Sequence, residues 1–177
     1  DTSSSVFEIF RGRLPWLLVG FVGEMLAAIV LSSYEAELSM VIAAAFFIPV
    51  IMAMGGNAGI QASSVVVRGL ATGEIALSRT FRRLLREFTA ATINGMICGA
   101  LLFVIAYYWI GDASFGLTVA LSLLVVVTNA TLVGATVPLA LDRMNIDPAL
   151  ATGPFITTTN DALGLFIYLG FLTLIYI

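Results

Sequence analysis

The polar positions of this chain are punctuation in an almost unbroken apolar text. Uncharged runs cover residues 14–34 (with Glu24 at the centre), 38–67, 88–111, 113–141 and 148–177 (with Asp161 at the centre). Each is long enough to cross a hydrocarbon core, which needs about 20 residues as an α-helix. The pattern predicts five membrane-crossing helices. Pro15-Trp16-Leu17 reads as the start of the first helix with an interfacial Trp, and residues 1–13 as a stub ahead of it. The second run is 30 residues, about 45 Å of helix against a core of about 30 Å, so it must tilt, project or break. Pro49 and the block Gly55-Gly56-Asn57-Ala58-Gly59-Ile60-Gln61 mark a break there, with Asn57 and Gln61 favouring a wet cavity over simple helix packing. Arg79, Arg82, Arg83 and Arg86 recur at helical spacing and read as an interfacial basic helix anchored at lipid headgroups. Thr89, Thr92, Asn94, Gly95 and Gly99 read as a packing face of the third helix. Tyr107, Tyr108 and Trp109 read as its interfacial belt.

Composition agrees. The chain has 177 residues, 60% hydrophobic and 11% charged, where a soluble domain carries about 25% charged residues. All eight basic residues are Arg, and in a five-span chain all lie on one side: 11 and 13 before the first run, 68, 79, 82, 83 and 86 after the second, and 143 after the fourth. The opposite connections hold Glu35, Glu37 and Asp112. The positive-inside rule therefore predicts a multi-pass cell-membrane protein with a cytoplasmic N-terminus and an outward C-terminus. Four Arg beside a span do not make a nucleic-acid site, and the partner of the apolar faces is lipid.

Two carboxylates sit where water is absent. Asp161 has 13 uncharged residues before it and 16 after it; Glu24 has ten on either side. A charge at the bilayer midplane costs roughly 2.5–3.5 kcal/mol by insertion scales, so such residues face a bundle interior or water and mark ion paths. A hydrogen-bonded structural acid is the bland alternative, weighed evenly for Glu24. The other membrane-depth polar groups are amides and hydroxyls, including Thr157, Asn160, Asn57, Gln61, Thr128 and Asn129. There is no His, and Cys98 is the only thiol. That donor set suits a hard cation such as Mg2+, Ca2+, Mn2+ or Na+. No nucleophile–base pair, phosphate loop or cofactor fingerprint is present, so the chain does not read as an enzyme. One carboxylate is too little for a divalent ion, and a homodimer with a central pore on its two-fold axis would present Asp161 twice.

The block from Pro49 through Gly55-Gly56-Asn57-Ala58-Gly59-Ile60-Gln61 to Arg68-Gly69-Leu70-Ala71-Thr72-Gly73 resembles the transmembrane domain of the MgtE family of magnesium channels. The likeness continues over 129–138, 146–149 and Asn160-Asp161-Ala162-Leu163-Gly164-Leu165-Phe166-Ile167-Tyr168, in the family's order. It implies an all-α homodimer of five spans per protomer, with the pore drawn chiefly from the second and fifth. Asp161 would recruit largely hydrated Mg2+, helped by carbonyls near Thr157 and by Asn160. Gly55, Gly56, Asn57, Gln61, Asn129 and Gly153 would line the pore or orient its waters. Glu87 matches an acidic position at the start of the third span, and Glu87 and Glu24 are candidates for an additional ion site. The family also implies a cytosolic Mg2+-sensing region with paired CBS domains and a plug helix. Only residues 6–13 could belong to its end. This chain departs from the usual pattern at Ala53-Met54, Ile60 and Gly153. The likeness to solute carrier family 41 makes a Na+-coupled Mg2+ exchanger the alternative, with Glu24 in a second site. Mn2+, Co2+ and Ca2+ stay open as cargo, and a non-transporting membrane anchor is the third reading.

Overall fold

A computed structural model describes residues 6–73 and 80–177. It is helical throughout these residues: α1 (Val6–Ser33), α2 (Glu35–Met40), α3 (Ile42–Ala71), α4 (Thr80–Ile110), α5 (Ala113–Arg143) and α6 (Pro148–Phe171), the last running into a π-helical turn, Leu172–Tyr176. Five of these helices, all but the six-residue α2, are long and apolar enough to cross a membrane. Large apolar side chains such as Leu17, Phe21, Leu101 and Tyr108 stay exposed along them. A soluble monomer rarely shows apolar patches of that extent, whereas a lipid-facing bundle requires them. The protein is therefore a multi-pass membrane protein.

The helices begin where the sequence supplies capping groups. The Asp112 carboxylate accepts from the Ser114 and Phe115 N–H groups at 2.8 and 3.2 Å, closing the start of α5. Asp147 does the same for Ala149 at 2.9 Å, with Pro148 at the first helical position, where its missing N–H costs nothing. Gly111 precedes the α5 cap with φ +82°, a backbone conformation open to glycine.

Three boundaries differ from the sequence expectation. The first span does not begin at Leu14: α1 runs unbroken from Val6, with Pro15 inside it. A proline near a helix end removes a single N–H bond in a region that headgroups and water can reach, so it need not stop the helix. Residues 6–13 are thus continuous with the span. The second span breaks at Val41, after the short α2, and not in the Gly-rich block; α3 is one 30-residue helix through Pro49 and Gly55–Gly59. Neighbouring helices supply the contacts that hold such a sequence helical. The Arg-rich segment is likewise no separate helix, because Arg82, Arg83 and Arg86 extend the N-terminal end of α4. Glu74 and Arg79 lie outside the described residues.

α5 is the central element. It packs against α4, α3 and α6, while α1 leans mainly on α6, and α3 and α4 scarcely touch. Small residues set these distances. A Cβ on Gly134 would strike the Gly59 carbonyl oxygen and lie 2.9 Å from its C and Cα, so α3 and α5 cross backbone to backbone. A Cβ on Gly99 would lie 2.9 Å from the Ala120 oxygen, so α4 also approaches the α5 backbone closely, though less tightly than α3 does. Such close approach is how helices associate where lipid offers no hydrophobic drive. The buried hydroxyls on α5 are satisfied inside their own helix: Thr118, Ser122 and Thr131 donate to the carbonyls four residues back at 2.9, 2.7 and 2.9 Å. Near the opposite end the fully buried Tyr168 donates to the Ala44 carbonyl at 2.8 Å, tying α6 to the start of α3.

Candidate cation site

Asp161 lies mid-way along α6, half-buried, on the side that receives α1. The rotation of α1 is set one residue before its own acid. Gly23 is buried, and a Cβ there would overlap the Thr158 side chain, so only glycine lets α1 seat on α6 at this level. That seat turns Glu24 toward Asp161, and the two carboxyls come within hydrogen-bonding reach. Sequence spacing gave each acid a midplane position; it gave no sign that they adjoin.

Asn160 is turned the other way. It is 3% exposed, and neither amide atom has a hydrogen-bond partner. Its nitrogen rests against Gly59, where a Cβ would collide with it and would lie 2.9 Å from Ile156 Cγ2. Gly59 is therefore the hollow that admits this amide, as well as the crossing point of α3 with Gly134. A buried amide without partners is unusual, since nearly all such groups are bonded, and it leaves both a donor and an acceptor free for water. The buried Thr158 hydroxyl oxygen, facing Gly23, is unpartnered too. Thr157 is exposed and donates to the Gly153 carbonyl at 3.1 Å.

The amides of the second span fall elsewhere within the protomer. Asn57 and Gln61, one turn apart on α3, face α4 across the gap between these helices. With Glu87, Asn94, Cys98 and Thr131 they line a cavity of about 310 Å³, to which Asp161 does not contribute. The Gly-rich block thus divides its work by helix face. Gly55 and Gly59 are buried toward α5 and α6, whereas Asn57 and Gln61 open on the cavity. Gly56 and Gly153 have open space where a Cβ would sit, and Asn129 is half-buried on α5. Asn94 was read from the sequence as part of a packing face; its place beside Glu87 could have been signalled only by their spacing of seven, two turns on one face.

Chemically, the site offers carboxylate, amide and hydroxyl oxygens and no imidazole. Among the described residues no group of three or more His, Cys, Asp or Glu gathers, so a single protomer does not build a dehydrated multi-carboxylate cage. The donor set fits a hard cation that keeps much of its water.

Comparison with known proteins agrees with this chemistry. The family MgtE, described as a divalent cation transporter, matches residues 48–171. The magnesium transporter MgtE of Bacillus subtilis (strain 168) is 40% identical over 162 residues, covering 91% of this chain and 36% of the relative. That of Thermus thermophilus is 35% identical over 162 residues, 92% of this chain and 36% of the relative. That of Enterococcus faecalis is 33% identical over 168 residues, 95% of this chain and 37% of the relative. The chain thus spans little more than a third of the length of these relatives. The matched region holds the α3 glycine block, the α5 crossing and Asp161, and on that match this chain belongs to the MgtE family of divalent cation transporters.

Proposed function

We propose that the chain conducts Mg2+ across the membrane through a pore on the two-fold axis of a homodimer, with Asp161 recruiting the largely hydrated ion. The observation that carries this reading is a midplane carboxylate in a family of divalent cation transporters, with no basic side chain in its own span to neutralise it. Such a charge needs an ion or water-filled path. Two copies would face Asp161 across the axis, and the Thr157 and Asn160 groups would orient first-shell waters of the ion. Asn57, Gln61 and Glu87 would supply a second polar region toward the Arg-rich side, which the positive-inside rule makes cytoplasmic. Mn2+ or Co2+ would pass by the same oxygen donors. The relatives are described as magnesium transporters, which makes Mg2+ the first cargo to test.

The test is Mg2+ uptake into proteoliposomes bearing a fluorescent indicator. Asp161→Ala should abolish or strongly reduce uptake while the dimer persists in cross-linking; unchanged uptake rejects the site. The carrier alternative, Na+/Mg2+ exchange, draws support from the second intramembrane acid. It requires uptake to follow a Na+ gradient at clamped membrane potential. The adjacency of Glu24 and Asp161 favours the simpler reading, because Glu24 does not stand apart as a separate acidic position.

A further inference from the structure

We infer that the groove between α3 and α4 binds a singly charged phosphodiester lipid, its phosphate held by Arg68 and Arg83 and one acyl chain lying in the groove. The groove stands apart from Asp161, so the inference goes beyond the transport reading and does not rest on it.

The groove coincides with the cavity of about 310 Å³ between these helices. α3 and α4 scarcely touch, and Val127 and Thr131 of α5 form the floor. Ala58 and Ala62 on one wall, with Ala90 and Ala91 on the other, keep the gap clear. The lining runs from Met54 to Val65 along α3 and from Glu87 to Cys98 along α4, eleven residue steps on each wall. Eleven steps of helix rise about 16 Å, close to half of a hydrocarbon core of about 30 Å. The groove is one leaflet deep, the distance over which an acyl chain runs. It opens sideways, because Asn57, Gln61 and Asn94 are exposed at the protomer surface. Among the described residues, none of these three amides is hydrogen-bonded through its side chain. Amides at membrane depth need partners that hydrocarbon does not supply. The ester carbonyls of a lipid are such partners, and the alanines beside them suit its chain.

Both walls end in an arginine. On α3, positions 54, 58, 61, 65 and 68 follow at three- and four-residue spacing, so Arg68 continues the lining stripe one turn past Val65. On α4, positions 83, 87, 91, 94 and 98 form the matching stripe, with Arg83 one turn ahead of Glu87. Arg68 is exposed; Arg83 is half-buried, and its Nε is shielded from solvent without a hydrogen-bond partner. Among the described residues, neither guanidinium is paired with an acid, Glu87 included. Arg ahead of Glu by four residues is the less favourable order for a helical ion pair. A shielded cationic N–H without an acceptor calls for an anion, and the guanidinium fork fits phosphate oxygens. Two guanidiniums against the Glu87 carboxylate leave one positive charge at this end of the groove. One phosphodiester neutralises it, whereas a phosphomonoester brings excess negative charge. Arg82 and Arg86 are exposed and lie off this stripe, where they meet headgroups only in general.

The experiment titrates the full chain, purified in dodecyl maltoside, with phosphatidylglycerol and reads lipid-bound protein by native mass spectrometry. Arg68→Gln and Arg83→Gln should each weaken binding about tenfold, the scale of a lost charge-assisted hydrogen bond. Arg83→Lys, which keeps the charge and loses the fork, should lose less than Arg83→Gln. Arg82→Gln and Arg86→Gln should change binding by no more than about twofold, as expected for diffuse attraction. Equal losses in all four Gln variants, or wild-type affinity in Arg68→Gln and Arg83→Gln, overturn the inference. Tighter binding of phosphatidic acid than of phosphatidylglycerol overturns the charge match. Cys98, the chain's single thiol, lies at the deep end of the groove and reports whether the lipid is there. Saturating phosphatidylglycerol should slow its alkylation by N-ethylmaleimide, and inorganic phosphate should not. An unchanged rate places the lipid elsewhere, and equal slowing by inorganic phosphate removes the need for a lipid; either result overturns the inference.

Discussion

Replacing Gly134 by Ala tests the packing argument at its tightest point. The added Cβ would lie 2.9 Å from both the carbonyl carbon and the Cα of Gly59, and would strike the Gly59 oxygen. Ordinary contact begins at 3.4 Å, so α3 and α5 must separate by at least about half an ångström at the crossing. No side-chain rotation relieves this, because the obstacle is backbone. A radial gap of about 0.5–1 Å forfeits a quarter to a half of the dispersion energy of each contact it opens. Overpacking of this kind costs about 1–3 kcal/mol. The effect should be read from thermal unfolding in mild detergent, with Gly56→Ala as the control. Gly56 sits in the same helix as Gly59 with open space at its Cβ position, and Ala there gains up to about 1 kcal/mol of helix propensity. Gly134→Ala should lower the melting temperature and Gly56→Ala should not. Equal stability of the two variants would refute the close-crossing account of α3 and α5.

Tyr168→Phe removes the buried hydrogen bond to the Ala44 carbonyl; the expected loss is about 0.5–1.5 kcal/mol, measured by the same unfolding assay with Mg2+ uptake retained. At the start of α5, the Asp112 carboxyl is held below its ordinary value of 3.8, first by the Tyr176 hydroxyl and then by the Phe115 N–H, against an opposing effect of burial, with the Ser114 N–H contributing least. A depressed folded value means the stabilisation is present above pH 3.8 and is lost as pH falls through the lower folded value. Tyr176→Phe should move that loss to higher pH, visible as a shift of the acid limb in melting temperature against pH; an unmoved limb would show that the Tyr176 contact at 2.8 Å is not what holds Asp112 down.

The five long apolar helices were legible in the residues because their cause, run length, is local. The caps at Asp112 and Asp147 are equally local, yet the sequence showed these residues only as parts of connections. Pro15, Pro49 and the Gly55–Gly59 block misled in the same direction. Each is a helix breaker by propensity, and each lies inside a continuous helix, because propensity is outweighed where neighbouring helices supply the contacts. The candidate site was legible as single positions only. Asp161 and Glu24 stood out by their cost, and Asn57 and Gln61 by their polarity, but nothing in their spacing said which would meet.

The sequence by itself determined that five long apolar helices are present and that two acids lie at mid-span. It also confined the intramembrane donors to oxygen and amide groups. These follow from run length, transfer cost and residue type, which need no neighbours to evaluate. Only the tertiary structure decided the rotation of each helix about its own axis. A helix apolar nearly all round carries little information about which face turns inward. Close contacts at Gly23, Gly59 and Gly134 supply that phase. They place Glu24 beside Asp161, send the Asn160 amide into the hollow over Gly59, and leave Asn57 and Gln61 facing Glu87 across a separate cavity.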